Sequence, residues 1–166
     1  MYDRILVAVD GSPAADRALD EAIQLASKVG AELVIAHVID NVYLKYDVGY
    51  IDTRGFTEAL IEQGKQIVAG ARAKAEKAGV RARDLVLDDP IGTLDIGFAI
   101  EQAAHDVGAQ AIVLGTHGRR GFRRMLLGSV AESVVRQSRL PVLLVRAVRP
   151  EAGHTMTEPL TNLAIA

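Results

Sequence analysis

Apolar residues along this chain follow two alternating rhythms. Short runs of mainly apolar residues at Ile5 to Val9, Leu33 to Val38, Ala111 to Leu114 and Val142 to Val145, and a weaker one at Arg83 to Leu87, have the length and composition of buried strands. Between them the apolar positions recur at helical spacing. Ala15, Ala18, Leu19, Ala22, Ala26 and Val29 mark one helix face, with Ser12 placed to cap it, Pro13 at its first position and Gly30 where a C-terminal cap belongs. Phe56 to Ala78 predicts a long helix with Leu60, Ile67, Val68, Ala71 and Ala75 inward, although Gly64 and Gly70 interrupt it. Leu94 to Val107, capped by Thr93, and Ser129 to Ser138 complete the set. Strands that alternate strictly with helices imply an α/β chain whose parallel sheet is covered on both faces, a doubly wound fold. Asp40 to Arg54, with Tyr43, Tyr46 and Tyr50, is longer than an ordinary connection and reads as a lid or an irregular loop. From Pro150 onward the periodicity stops. That end reads as a loosely attached tail, with Leu160 to Ala166 docking on the body.

Composition narrows the class. A chain of 166 residues that is 49% apolar and only 4% aromatic supports one domain with a core of Ala, Val, Leu and Ile. The absence of cysteine excludes disulfides, thiolate metal sites and thiol nucleophiles. No basic and apolar leader pattern opens the sequence and no run approaches membrane-spanning length, so the expected location is the cytoplasm, without membrane contact. A formal charge of -2 gives no general pull toward nucleic acid. The basic residues that do cluster are Arg119, Arg120, Arg123 and Arg124, interleaved with Phe122, Met125, Leu126 and Leu127. They admit phosphate neutralisation, a solvated face or an acidic partner.

That cluster lies inside the segment with the most chemical content. Gly115-Thr116-His117-Gly118, nine intervening residues and Gly128-Ser129 follow the fourth strand and precede a helix. Backbone N-H groups close on phosphate oxygens only where no Cβ obstructs them, and a helix start supplies unpaired donors in a favourable dipole. Neither the Walker A pattern nor the dinucleotide fingerprint is present. The competing reading makes Gly115, Gly118 and Gly121 turn residues and Ser129 an N-cap that forms a capping box with Glu132. Glu132 itself weighs against an anion there, because a carboxylate in the first turn competes for the same dipole end. Asp10, at the end of the first strand, serves either an Asx turn into Ser12 or a ribose or magnesium ion. His37 falls within a strand and reads as a hydrogen-bonded structural histidine, whereas His117 in the glycine loop is the better ligand candidate. The two histidines lack a carboxylate cluster at zinc-ligand spacing.

Ala8-Val9-Asp10, His37-Val38-Ile39-Asp40, the full Gly-x-x-Gly-x9-Gly-Ser spacing and the closing Leu140 to Val145 segment together resemble the universal stress protein family, in its ATP-binding type. The resemblance covers roughly residues 1–147 as one nucleotide-binding domain and leaves 148–166 outside it. It implies five parallel strands in the order 3-2-1-4-5 and an adenine nucleotide across the strand ends. It also implies that Ala8, Val9 and Asp10 face the nucleoside and that the Val38 backbone meets the adenine edge. Gly115, His117 and Gly118 would approach ribose and phosphates, and Gly128, Ser129, Val130 and Ala131 would hold the phosphate tail, with ATP and magnesium as the ligand. The expected role is a nucleotide-dependent regulator in stress response that offers its altered surface to a protein partner. A slow nucleotide hydrolase, acting through His117 or Asp10, and a nucleotide-independent scaffold are the alternatives. The last strand would then be an uncharged edge, Val142 to Val145, and pairing it with a second copy through Pro141 to Arg146 predicts a homodimer.

Overall fold

Strand β1 (Arg4–Ala8) alternates as its buried position demands, with Leu6 turned to one side of the sheet and Ile5 and Val7 to the other, all three inaccessible to solvent. The computed structural model describes residues 2–40, 53–88, 95–118 and 127–147. After β1 come α1 (Pro13–Val29), β2 (Glu32–Val38), α2 (Thr53–Lys77), β3 (Ala82–Leu87), α3 (Ile96–Asp106), β4 (Ala111–Gly115), α4 (Ser129–Gln137) and β5 (Val142–Val145). The strands form one five-stranded parallel sheet in the order β3-β2-β1-β4-β5, as the family resemblance implied. Ile5 stands beside Leu33 on one flank and Ala111 on the other, so β1 is the central strand.

Two apolar layers cover the sheet. Ala18, Leu19, Ala22 and Ala26 of α1, with Val68, Ala71 and Ala75 of α2, pack on the face that carries Ile5, Val7, Leu33, Ile35 and Val113. Ile100, Ala103 and Ala104 of α3, with Ala131 and Val134 of α4, pack on the face that carries Leu6, Ala36, Ile112 and Leu114. The many alanines let the helices sit close to the sheet, which is how a chain so poor in aromatics fills its core.

Most element ends lie within a residue or two of their expected places, and α1 has its predicted punctuation. The Ser12 side chain accepts from the Ala15 N-H at 3.2 Å, Pro13 opens the helix and Gly30 closes it at φ 74°, in the left-handed region. Two expectations change. Helix α2 begins at Thr53, three residues before Phe56. Helix α3 is capped by Asp95, whose Oδ1 accepts from the Phe98 N-H at 3.0 Å, while Thr93 lies outside the described residues. Asp95 Oδ1 also accepts from Ser133 Oγ at 2.6 Å, tying the start of α3 to α4. The tyrosines at 43, 46 and 50, the four clustered arginines and the tail likewise lie outside the described residues.

Candidate functional site

The connections reverse direction on either side of β1, from β2 on one flank to β4 on the other, and in open α/β sheets a crevice opens at such a point beyond the strand carboxyl ends. Ala8, Val9 and Asp10 leave β1 there, Gly115 to Gly118 leave β4 there, and Val38 ends the neighbouring β2. Most of the residues expected from sequence therefore gather at one end of the sheet.

Asp10 turns the chain toward α1. Its Oδ1 accepts from the Ser12 N-H at 2.9 Å, the Asx turn expected of an aspartate at this place, and Gly11 between them has φ 77°. The other carboxylate oxygen lies toward the glycine loop: a Cβ on Gly118 would stand 2.6 Å from Asp10 Oδ2. The turn and the functional reading of Asp10 are thus compatible, because one oxygen serves each side.

Two more glycines allow backbone approach. A Cβ on Gly115 would meet the Ala14 backbone carbon at 2.9 Å, so β4 passes directly under the start of α1. A Cβ on Gly128 would stand 3.1 Å from the Thr116 carbonyl oxygen, and the Gly128 N-H donates to that same oxygen at 2.8 Å. Thr116, buried and unremarked in the sequence reading, is a junction. Its N-H donates to the Val145 carbonyl at 2.8 Å, its carbonyl receives Gly128, and its Oγ1 lies 3.0 Å from His117 Nδ1. Its position between Gly115 and His117 was the available signal, but only the fold reveals that β4, β5, the loop and α4 meet on it.

The capping box of the competing reading does not form at Ser129. The N-cap is Gly128, in an extended conformation, and Ser129 is the first helical residue; among the described residues no side chain caps this helix start. Glu132 turns instead along the helix to pair with Arg136. Among the described residues the first N-H groups of α4 are therefore not satisfied by a capping side chain, while Glu132 stays in the first turn with its carboxylate paired to Arg136. The remaining expected residues are placed differently. Val130 packs half-buried against the α3–α4 layer, and Ala131 lies buried within that core. His37 is hydrogen-bonded at the Val9 carbonyl, as a structural histidine would be.

This fold and loop have counterparts in known proteins. The model of the universal stress protein family matches residues 1–146. The chain belongs to the universal stress protein family. A Staphylococcus epidermidis protein named for the same family is 36% identical over 148 residues, covering 87% of this chain and 84% of the relative. Among solved structures, a universal stress protein family member from Burkholderia pseudomallei superposes with a TM-score of 0.72 at 34% identity, covering 87% of this chain and 96% of that one. The universal stress protein from Archaeoglobus fulgidus in complex with dAMP superposes with a TM-score of 0.61 at 26% identity, over 87% of this chain and 98% of that one. No described helix is long and apolar enough to cross a membrane. No group of three or more His, Cys, Asp or Glu side chains able to hold a metal occurs among the described residues.

Proposed function

We propose that this universal stress protein binds ATP with magnesium in the crevice beyond β1 and β4 and acts as a nucleotide-dependent regulator in the stress response. The observation that carries the reading is the helix start at Gly128. Among the described residues it lacks a capping side chain, and it stands against a loop whose glycines let the backbone pass close to Ala14, Asp10 and Thr116, with the Asp10 carboxylate beside Gly118. The Archaeoglobus fulgidus relative, in complex with dAMP, supports an adenine nucleotide as the occupant. Ala8, Val9 and Asp10 would face the nucleoside and the Val38 backbone the base. Gly115, His117 and Gly118 would adjoin ribose and phosphates, and Gly128, Ser129, Val130 and Ala131 the phosphate tail through their N-H groups.

Magnesium fits this arrangement as a companion of the phosphates rather than a resident of the protein. The ion keeps several waters and needs only one or two carboxylates when phosphates supply the rest, and Asp10 is the carboxylate within the crevice. The reading is of binding, with occupancy altering the loop from Gly118 to Gly128 and the surface shown to a protein partner. It also includes a cytoplasmic homodimer joined along β5. Mass spectrometry of nucleotide released from purified protein, with thermal unfolding in millimolar Mg-ATP, tests it. Ligand at a hundred times its dissociation constant stabilises the folded state by about 2.7 kcal/mol. An unchanged midpoint, together with no heat of binding and no released nucleotide, would remove the proposal.

A further inference from the structure

The end of the β1–β2 pairing departs from what a parallel ladder dictates. In such a ladder every second residue turns both its N-H and its C=O toward the same neighbour. Ala36 faces β1 in this way, accepting from the Val9 N-H at 2.8 Å. Val38, two residues on, faces the same flank, and the next bond in register would run from its N-H to the Val9 carbonyl. Among the described residues that bond is not made. The Val9 carbonyl lies instead 2.7 Å from Nδ1 of His37. A carbonyl can only accept, so Nδ1 carries the proton and donates. The ring is 4% exposed, and α2 presses on it at Gly64, where a Cβ would stand 2.8 Å from His37 Cδ2. It is held in place on both sides.

We propose that His37 is a positioning residue for base recognition, one that occupies the Val9 carbonyl and so keeps the Val38 N-H and C=O clear of the ladder and turned to the crevice. The inference rests on the nucleotide reading above and deepens it. A neighbouring N-H and C=O complement a base edge that offers a ring nitrogen acceptor beside an exocyclic amino donor, which is the pattern of adenine. With the imidazole gone, Val38 and Val9 would extend the ladder by one bond, and the donor would no longer face the base.

Backbone amide exchange followed by NMR, with AMP as the probe, tests this directly. Ile39 is the internal control, because its N-H donates to the Leu87 carbonyl at 2.8 Å. In the free protein the Val38 amide should exchange about tenfold or more faster than Ile39, and AMP should slow it. His37→Leu should slow Val38 exchange without any nucleotide and weaken AMP binding by about tenfold, the worth of one well-placed hydrogen bond with its desolvated partner. The same variant should leave affinity for inorganic tripolyphosphate unchanged, because the phosphate end lies at β4 and α4. His37→Asn, whose carboxamide can donate from near the Nδ1 position, should restore AMP binding. A Val38 amide as slow as Ile39 in the free parent, or a folded His37→Leu that binds AMP as tightly as the parent, overturns the proposal while leaving the nucleotide reading intact. A parent that binds neither AMP nor ATP overturns both. Should His37→Leu fail to fold, Val38 exchange in the parent with and without AMP decides.

Discussion

At Gly118 a single added carbon would need the space that the Asp10 carboxylate occupies, 2.6 Å away. Asp10 cannot easily yield, because its other oxygen holds the Ser12 N-H at the turn into α1. Gly118→Val is therefore expected to keep the circular dichroism of the parent and lose nucleotide binding in calorimetry; a folded variant that binds normally would make the loop a simple turn. The glycines were legible from sequence because their spacing after a strand has few other uses. Whether Ser129 opens or caps α4 stayed open in the sequence for a physical reason. Serine and glycine both suit an N-cap, and which of two neighbours takes that place depends on how the loop enters the helix, here with the Gly128 N-H bonded to a carbonyl on β4's exit. His37 was legible as hydrogen-bonded but not as a replacement for a ladder bond. That needs the register of β1 on β2.

The glycines that weakened the sequence case for α2 illustrate how an element can violate local propensity for a tertiary reason. Gly64 lies where α2 passes close over His37 and Ile39, and a Cβ there would be 2.7 Å from Ile39 Cδ1 and 2.8 Å from the hydrogen-bonded His37 ring. Gly64→Ala would gain up to about 1 kcal/mol in helix propensity. Overpacking against a ring that cannot swing away should cost more, about 1–3 kcal/mol. The expected result is a net loss of stability in urea titration, and a stabilised variant would show that α2 has slack over β2. Gly70 has no such neighbour, with nothing within 4 Å of its would-be Cβ, so Gly70→Ala should stabilise the protein by up to about 1 kcal/mol. Helix α3 carries the opposite lesson. Its apolar spacing was readable, but its cap was not, because Thr93 and Asp95 are both cap-type residues, and only the fold shows Asp95 Oδ1 accepting from the Phe98 N-H and from Ser133 of another helix. Asp95→Ala should cost about 1–2 kcal/mol by removing both bonds, measured in the same titration.

At the scale of the molecule the two sheet edges differ. Strand β3 carries Arg83 and Asp84 within it, the first 3.6 Å from Glu32 and the second 3.4 Å from Arg72, and charged edges discourage further pairing. Strand β5 carries no charge and leaves Leu143 43% exposed. The alternation at the sequence level identified the strands and the doubly wound class; which strand lies at the edge came from the family resemblance, since local patterns do not encode strand order. The proposed dimer predicts that Leu143→Lys lowers the sedimentation coefficient of the parent dimer toward that of a monomer at micromolar concentration. A monomeric parent, or a folded and fully dimeric Leu143→Lys accompanied by an equally dimeric Leu144→Lys, would exclude this edge. The central place of β1 also shapes how the chain must be made. Ile5, Leu6 and Val7 leave the ribosome well before Ala111, Ile112 and Val113, on which one flank of β1 waits. Until then an apolar strand has one open edge, and the crevice between β1 and β4 does not exist. Nascent chains halted before β4 should thus engage chaperones that bind exposed apolar strands and gain no protection from nucleotide, whereas chains released after β5 should gain both.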